Sequence, residues 1–574
     1  MTGTEPVFIE RESHASEVDF GSAVPPVLQR VYAARGVTDA DDLDRSLSRL
    51  LPPAGLADAG KAARRIVRAI AAQETILIVG DFDADGATSV ALGVSLLRQF
   101  GAADVQFLVP NRFEFGYGLS PEIVDLAATF DPALLITVDN GVSSVTGVAA
   151  ANARGMDVII TDHHLAGLEL PDAYAIVNPN VVGSEFPSKN LAGVGVIYYL
   201  LGLVRAELRR EGWFENRSEP NLADWLDLVA LGTVADVVPL DRNNRILVHQ
   251  GLLRMRAGRC RSGIQALVEV AGRDLSRLTA QDLGYAVGPR LNAAGRLDDM
   301  SVGIRCLMAE DLAAARGQAT ALDELNRARR ELELEMVRDA ELLVSQQDLD
   351  VRNQFGVCVY EAGWHQGIVG IVAGRLREKI DRPVIAFADA GDTAPDELKG
   401  SARSLPALHI RDTLDAIAAR HPGMLKKFGG HAMAAGLSLK RVHYERFARA
   451  FDAEVRRQLP DHAFQRTIET DGSLSETDLS LEMARLLADA GPWGQGFPEP
   501  LFYDEFQLVS QRVVGEHHLK LVVKQGQRVL DAIAFRQGPV QGASRVRLAY
   551  RLSENTWNDR TTLQLVVEHL TALA

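Results

Sequence analysis

The chain has 574 residues, of which 47% are hydrophobic and 24% are charged. This composition is typical of folded globular proteins, and the length predicts about three domains. The acidic N-terminus has no apolar core like that of a signal peptide. Three widely separated cysteines exclude a zinc ribbon and argue against a disulfide framework, so we expect a reducing, cytoplasmic setting.

The net charge of −15 argues on its own against a nucleic-acid ligand, because contacts with phosphate need lysine and arginine. Residues 401–460 depart from this balance, with eleven basic and five acidic side chains. This local excess is compatible with a nucleic-acid surface, and equally with a solvated basic helix face.

From about residue 75 to 185, apolar runs of four to six residues alternate with helical patterns. This rhythm predicts βαβ units and a parallel sheet. Residues 191–310 have a mostly helical pattern. Their longest uncharged apolar run, residues 191–204, is too short to cross a bilayer and predicts a buried helix, so we expect no membrane span.

A long helical pattern with charged faces covers residues 311–347 and is typical of a rigid connector between domains. The strand–helix rhythm then resumes and ends near residue 465. The last hundred residues contain several closely spaced short strands. They predict a small β-barrel, for which an OB-fold is one option.

Three successive predicted strands end in carboxylates or imidazoles, and these are Asp81, Asp83 and Asp85, then Asp139, then Asp162, His163 and His164. The carboxyl ends of parallel strands meet at one edge of a sheet, so these side chains should converge. A cluster of that many carboxylates requires cations, and mixed Asp and His ligands suit Mn²⁺ or Mg²⁺. Asp236, the lone charge in an apolar helical stretch, is a further candidate ligand.

Each of these motifs also has a simpler interpretation. The DxDxDG pattern opens EF-hand loops, but the twelfth position is Leu92 rather than Glu, and a strand precedes it instead of a helix. The TDHH motif could be a capped turn, Asp139 could belong to an Asn-Gly turn, and Asp236 could be a helix N-cap. Their joint occurrence at successive strand ends favours a metal site.

Several nucleotide-binding and catalytic motifs are absent from the sequence. No P-loop and no GxSxG elbow occurs, and Gly193 and Gly195 lack the third glycine of a dinucleotide fold. These absences argue against ATP-driven chemistry, acyl transfer and hydride transfer.

The segments DFDADG, VDNG, DHH and GTVADVVPL, in that order, resemble the DHH phosphoesterase superfamily. GSARS (400–404) and FGGHAMAAG (428–436) look like its companion DHHA1 domain. With NAAGRLDD (292–299) and the β-rich tail, residues 40–570 are similar to the bacterial members that degrade single-stranded DNA. The resemblance implies a 5′→3′ exonuclease that releases 5′ mononucleotides in DNA recombination and repair.

The resemblance also implies a role for each residue of the cluster. The metal ligands would be Asp83, Asp85, Asp139, His163 and Asp236. Asp81 would bind metal or orient a ligand, Asp162 would hold an imidazole, and His164 would face the scissile phosphate. Two ions would stabilise charge on both sides of the phosphorus during hydrolysis.

Further residues are candidates for contacts with DNA. Small residues around Gly429, Gly430 and His431 expose backbone amides that could bind a terminal phosphate, together with Ser401 and Arg403. Without the family, a tight turn would also explain these glycines.

Arg112 and Tyr117 lie in a stretch that interleaves aromatics with a cation, which suits a single strand but also an anchored loop. Arg290 and Arg296 are candidate backbone contacts, and ion pairs with Asp298 or Asp299 are the alternative.

The predicted architecture is α/β, with a parallel-sheet DHH domain and a smaller α/β DHHA1 domain joined by a long helix, followed by an OB-like barrel. The expected boundaries are 1–45, 46–310, 311–347, 348–465 and 466–574. The family suggests single-strand-binding protein and a DNA helicase as partners. We expect the protein itself to be a monomer. A phosphodiesterase of very short oligonucleotides and a non-enzymatic replication scaffold are the rival hypotheses.

Overall fold

The computed structural model of the chain describes residues 6–13, 18–111, 115, 118–346, 354–391, 394–460, 464, 466–515, 518–558 and 560–573. The chain divides into two units. The larger unit contains Ile9–Asp323 and Glu469–Ala574, and the smaller contains Glu324–Ile468 with the chain up to Phe8. The barrel-forming tail therefore shares a unit with the parallel sheet.

The larger unit is built on a parallel sheet. The first elements are β1 (Val7–Glu10), α1 (Pro26–Ala33), α2 (Ala59–Ala72), β2 (Thr75–Gly80), α3 (Ala84–Gln99), β3 (Asp104–Leu108), α4 (Pro121–Ala128), β4 (Leu134–Val138), α5 (Val145–Ala153), β5 (Asp157–Thr161) and β6 (Ala175–Val177). Strands β2 to β6 form one sheet of order β3-β2-β4-β5-β6, in which every pair is parallel. The residues of β4 are all buried, as expected for a strand covered on both faces.

Helices follow the sheet. They are α6 (Gly193–Arg210), α7 (Leu226–Ala235), α8 (Arg242–Arg256), α9 (Ser262–Val270), α10 (Ala280–Asp282), α11 (Gly288–Leu297), α12 (Ser301–Leu307) and α13 (Leu312–Gln346). A π-helical turn, Leu283–Val287, joins α10 to α11. The apolar run 191–204 forms most of α6 and is largely buried, as predicted. No helix among the described residues is both long and apolar enough to span a membrane.

The smaller unit has its own sheet. Its elements are β7 (Val357–Tyr360), α14 (Val369–Ile380), β8 (Val384–Asp389), β9 (Glu397–Arg403), α15 (Ile410–Arg420), β10 (Leu425–Gly430), β11 (Ala434–Lys440) and α16 (Tyr444–Gln458). The strand order is β10-β11-β9-β8-β7, so β10 is an edge strand. Buried aromatic side chains such as Phe387, Phe447 and Phe451 form its core.

The tail forms a closed barrel. After β12 (Thr467–Thr470) and α17 (Leu481–Ala490) come β13 (Phe502–Val514), β14 (His518–Gln525), β15 (Arg528–Phe535), β16 (Arg545–Trp557) and β17 (Arg560–Leu573). The barrel order is β13-β14-β15-β17-β16, and it closes by pairing β13 with β16. Glu554 of β16 forms ion pairs with Arg277 and Arg485, which help hold the barrel in the larger unit. The sheets, the long helix and the barrel confirm the predicted fold class.

Candidate metal centre

Three neighbouring strands of the parallel sheet end at the same level. Gly80 of β2 is in register with Val138 of β4, and Val138 is in register with Thr161 of β5. The residues that directly follow these three are Asp81, Asp139 and Asp162. The convergence expected from the sequence is therefore present, and it arises from the register of the sheet.

Seven side chains at this edge lie close enough to share metal ions. Their donor atoms form three groups, each within 4.8 Å, and these are Asp81, Asp83 and Asp139, then Asp85, His163 and Asp236, then Asp139, His163 and His164. The Nε2 atom of His163 lies 3.1 Å from Asp139 Oδ1 and 3.4 Å from Asp236 Oδ2. The structure thus brings together all the residues that the sequence assigned to metal binding.

The DxDxDG segment is shaped by the start of helix α3. Asp83 is the N-cap of α3, and its carboxylate accepts a hydrogen bond from the Gly86 amide at 3.0 Å. A side chain at Gly86 would collide with the backbone carbonyl of Asp81, so this position requires glycine. Asp85, in the first turn of α3, is completely buried.

Asp236 reaches the cluster from helix α7. It directly follows the last residue of α7, so the N-cap alternative is wrong and Asp236 stands at the helix C-terminus. A carboxylate is disfavoured there by the helix dipole unless a cation compensates it. Burial, followed by the charges of Asp85, Asp83 and Asp81, raises the pKa of Asp236 well above its usual value.

Asp85 and Asp139 are in the same electrostatic conflict, in which burial and neighbouring negative charges both disfavour the ionised carboxylate. Burial and the charge of Asp83 raise the pKa of Asp85 to about 7. Burial and the charges of Asp85 and Asp83 raise the pKa of Asp139 well above its usual value. Divalent cations would resolve this conflict, and a donor set of carboxylate oxygens and imidazole nitrogens fits Mn²⁺ or Mg²⁺.

Asp162 organises the two histidines. Its Oδ1 accepts the amides of His163 at 2.7 Å and His164 at 3.1 Å, and it also lies 2.7 Å from His164 Nδ1. Its Oδ2 accepts the Val142 amide at 2.9 Å. Burial would raise the pKa of Asp162, but its bond with His164 lowers it, and the same bond raises the pKa of His164 against the effect of burial. An imidazolium held by a carboxylate is therefore favoured at this position.

In the smaller unit, the residues predicted to bind a terminal phosphate lie on three adjacent strands. Gly429 of β10, Gly436 of β11 and Ser401 of β9 are in register, so they share one face of the sheet. A Cβ atom on either glycine would meet nothing within 4 Å, and Arg403 lies two residues beyond Ser401 on the same face. The His431 amide donates to the Ala434 carbonyl beside this row.

Arg403 carries the positive charge of this face. Its Nη1 donates to the Ser401 hydroxyl oxygen at 3.0 Å and to the Ala402 carbonyl at 2.9 Å. Within the described part of the chain, no carboxylate forms an ion pair with Arg403. Burial, together with the charge of Arg377, lowers the pKa of Arg403. A bound anion would relieve both effects.

Comparison with known proteins agrees with these features. The models of the DHH family N-terminal domain, the DHHA1 domain and the RecJ OB domain match residues 75–233, 353–457 and 470–569, respectively. The single-stranded-DNA-specific exonuclease RecJ of Escherichia coli (strain K12) is 50% identical over 572 residues, which cover 98% of each chain. This chain belongs to the RecJ family.

Two further RecJ proteins are also similar to this chain, to different degrees. The RecJ of Haemophilus influenzae is 48% identical over 96% of this chain and 98% of its own. The crystal structure of RecJ in complex with Mn²⁺ from Thermus thermophilus is similar with a TM-score of 0.82 and 30% identity. That similarity covers 99% of this chain and 79% of the Thermus chain.

Sequence reasoning missed the asparagines that hold the RecJ-family cluster in place. Asn180 Nδ2 donates to the His163 carbonyl at 2.6 Å, and Asn178 Nδ2 donates to the His164 carbonyl at 2.9 Å. Asn292 Oδ1 accepts the Ala84 amide at 2.8 Å, at the start of α3. The Asn-Pro-Asn triplet directly after β6 was an available signal, because asparagines at a strand end commonly bind nearby backbone.

The other predicted DNA contacts have varied outcomes. Arg112 and Tyr117 lie outside the described residues. Arg290 is buried, with Nη2 at 2.8 Å from Asp323 Oδ1 and Nη1 donating to the Ala286 carbonyl. The ion-pair alternative therefore describes Arg290, although the partner is not one of the predicted aspartates, and DNA could reach it only if this pair opened. Arg296 lies half-buried in the last turn of α11.

Proposed function

We propose that this chain is a single-stranded-DNA-specific 5′→3′ exonuclease that releases 5′ mononucleotides with two divalent ions, Mn²⁺ or Mg²⁺. The observation that carries the proposal is the cluster of seven carboxylate and imidazole side chains at one sheet edge, in a chain 50% identical to an exonuclease. By the same family resemblance, the enzyme would act in DNA recombination and repair.

The ions would be held by Asp83, Asp85, Asp139, His163 and Asp236, with Asp81 as a further ligand or as an orienting group. When bound, they would make a water molecule more acidic and offset charge on the attacking and leaving oxygens. Asp85 and Asp139 are almost completely buried, which excludes competing water and fixes their orientation, whereas Asp83 and Asp236 are only partly buried.

His164 is the protein group proposed to act on the scissile phosphate. Its Nδ1 edge is held by Asp162, so the ring has one orientation, and the carboxylate favours the protonated form. A protonated imidazole can donate a hydrogen bond to a phosphate oxygen and stabilise charge that develops there.

The face formed by Gly429, Ser401 and Arg403 is proposed to bind the 5′-terminal phosphate, with Gly430 and His431 beside it. A Cβ atom on Gly430 would lie 2.4 Å from the Ala434 carbonyl oxygen, so this glycine is packed and does not belong to the open row. The open space at Gly429 and Gly436 supports this assignment, as does the Arg403 guanidinium, which forms no ion pair with a carboxylate in the described part of the chain. Recognition of the terminal phosphate would make the enzyme begin at that end.

The barrel is proposed to hold the strand that leads into the site, together with Arg112, Tyr117 and Arg296. Trp557 is 75% exposed at the tip of the β16–β17 hairpin and pairs with exposed Arg560. An aromatic side chain beside a cation suits stacking with a base and contact with phosphate. The five sequence-derived domain boundaries, a monomeric state, a cytoplasmic location, and single-strand-binding protein and a helicase as partners are part of the same proposal.

The test is digestion of single strands labelled at the 5′ or the 3′ end, with matched duplexes, in Mn²⁺, Mg²⁺ or EDTA. We expect metal-dependent release of labelled mononucleotide from 5′-labelled single strands and little attack on blunt duplexes. Activity confined to oligonucleotides of about two to five residues would favour the small-substrate phosphodiesterase instead. Purified protein that degrades nothing with either metal would favour the scaffold.

A further inference from the structure

The first turn of helix α6 binds one carboxylate of the metal centre through its backbone. The Gly193 amide donates to Asp85 Oδ2 at 2.6 Å, and the Val194 amide donates to Asp85 Oδ1 at 3.0 Å. The first amides of a helix have no partner within the helix, so they are available for this bond. Both oxygens of Asp85 are thereby fixed in direction.

The lack of a side chain at Gly193 also leaves room for a second carboxylate of the cluster, that of Asp139. A Cβ atom on Gly193 would lie 2.6 Å from Asp139 Cβ and 2.9 Å from Asp139 Oδ1, far inside normal contact. Asp85 belongs to the segment after β2, and Asp139 follows β4. Gly193 is therefore the point at which two ligands from different strands meet.

Helix α7 closes the other side of Asp85. A Cβ atom on Gly232 would lie 2.8 Å from Asp85 Oδ1 and 2.7 Å from Val194 Cγ1. Helix α7 also supplies Asp236 directly after its last residue. The carboxylate of Asp85 is consequently held between two helix backbones that approach it where glycine leaves space.

We propose that the N-terminus of α6 is the positioning element of the metal centre, with Gly193 setting the separation between Asp85 and Asp139. Buried like charges repel each other, so rigid backbone contacts are needed to keep them at the spacing that two ions require. The inference rests on the proposed metal-dependent function and assigns a role to a residue that touches no substrate.

The test is binding of Mn²⁺ alone to the full-length protein, measured by the electron paramagnetic resonance signal of free Mn²⁺ without DNA. We expect Gly193→Ala to weaken Mn²⁺ binding by about 10- to 100-fold, the loss typical when groups that orient metal ligands are altered. Gly195→Ala is the matched control, because its new Cβ would approach only the Leu191 side chain, at 3.1 Å. It should bind Mn²⁺ like the parent protein.

A second variant removes the amide without adding a methyl group beside Asp139. Val194→Pro deletes the donor to Asp85 Oδ1 at a first-turn position where helices tolerate proline, and Val194→Ala controls for the lost side chain. Val194→Pro should also weaken Mn²⁺ binding, and it keeps the proposal testable if Gly193→Ala does not fold.

Folded Gly193→Ala or Val194→Pro protein that binds Mn²⁺ within twofold of the parent would overturn the inference. The proposed nuclease function fails separately. If the parent binds Mn²⁺, the variants bind it weakly and no DNA is degraded, the positioning role stands and the function is contradicted.

Discussion

His164 Nδ1 lies 2.7 Å from Asp162 Oδ1, and the same oxygen accepts the backbone amides of both His163 and His164. One buried carboxylate therefore fixes the backbone of a proposed metal ligand and the ring of the proposed phosphate-binding residue. Asp162 follows β5 at the same level as the strand ends that carry the proposed metal ligands, but it is not itself in the three donor groups.

Asp162→Asn should lower kcat by about 10- to 100-fold, because an amide orients the His164 ring less well and no longer favours its protonated form. The affinity for Mn²⁺ should change much less than kcat. Steady-state digestion of a 5′-labelled single strand, with Mn²⁺ binding measured in parallel, checks this. An unchanged kcat would contradict the proposed role of the pair.

Asp236→Asn should abolish nuclease activity and yet stabilise the metal-free protein. The pKa of Asp236 is higher in the folded chain than in the unfolded chain, so the folded chain keeps a proton that the unfolded chain releases. The free energy of unfolding therefore falls as pH rises from the unfolded pKa toward the folded pKa. In EDTA at pH 8 we expect the Tm to rise by about 1 °C, the shift expected for about 1 kcal/mol in a unit as large as the one that contains Asp236.

Excess Mn²⁺ should raise the Tm of the parent protein more than that of the Asp236→Asn variant, since only the parent keeps its complete ligand set. Asp415→Asn, at an exposed position in the smaller unit, is the control and should leave the Tm unchanged. A lower Tm for Asp236→Asn in EDTA would show that the electrostatic conflict is not the dominant effect at this residue.

The sequence was sufficient to predict the cluster because parallel strands place their carboxyl ends at one edge, whatever their separation along the chain. Asp81, Asp139 and Asp162 could therefore be grouped from strand order alone. Asp236 could be proposed as a ligand only because it is a lone charge in an apolar stretch. The alternative that it is a helix N-cap was wrong, because cap position depends on where α7 ends.

The contacts made by backbone were beyond sequence reasoning. The role of Gly193 depends on how α6 packs against two loops, and no local pattern records that packing. For Arg290, the sequence left a DNA contact and an ion pair equally open. Its partner in the structure is Asp323, 33 residues further along the chain, whereas the sequence pointed to the nearby Asp298 and Asp299.

Arg403→Ala should weaken the use of 5′-phosphorylated ends. A guanidinium bond to a phosphate contributes about 1.5–3 kcal/mol, so KM for a 5′-phosphorylated strand should rise by about 10- to 100-fold, with little change for a 5′-hydroxyl strand. Arg411→Ala, at an exposed position in α15, is the control and should affect both strands similarly. An equal loss of binding to linear and circular single strands in Arg403→Ala would contradict end recognition.

His249→Gln should reduce the loss of stability on acidification. Burial, with Arg45 and Arg256 nearby, lowers the pKa of His249 to about 4, while the unfolded value is about 6.5. Between these values the unfolded chain binds a proton that the folded chain does not, so the free energy of unfolding falls as pH drops from 6.5 to 4.

Above pH 6.5, His249 causes no loss of stability. By pH 4 it should have lowered the free energy of unfolding by about 1 kcal/mol, after allowance for the partly exposed ring. Urea unfolding of the parent and His249→Gln from pH 7 to pH 4.5 checks the difference between the two curves. Parallel curves would show that another group causes the acid sensitivity.

Trp557→Ala should weaken binding of long strands without changing the chemical step. Stacking of one base on an aromatic side chain contributes about 1–3 kcal/mol, so KM for a 30-residue single strand should rise by about 5- to 100-fold at constant kcat. Trp557→Phe keeps an aromatic face and should retain most of the affinity. Trimers are the control for length: if Trp557 acts only by holding the distal part of a long strand, parent and variant should degrade trimers equally. A similar rise in KM for trimers would instead indicate that Trp557 supports the fold of the larger unit.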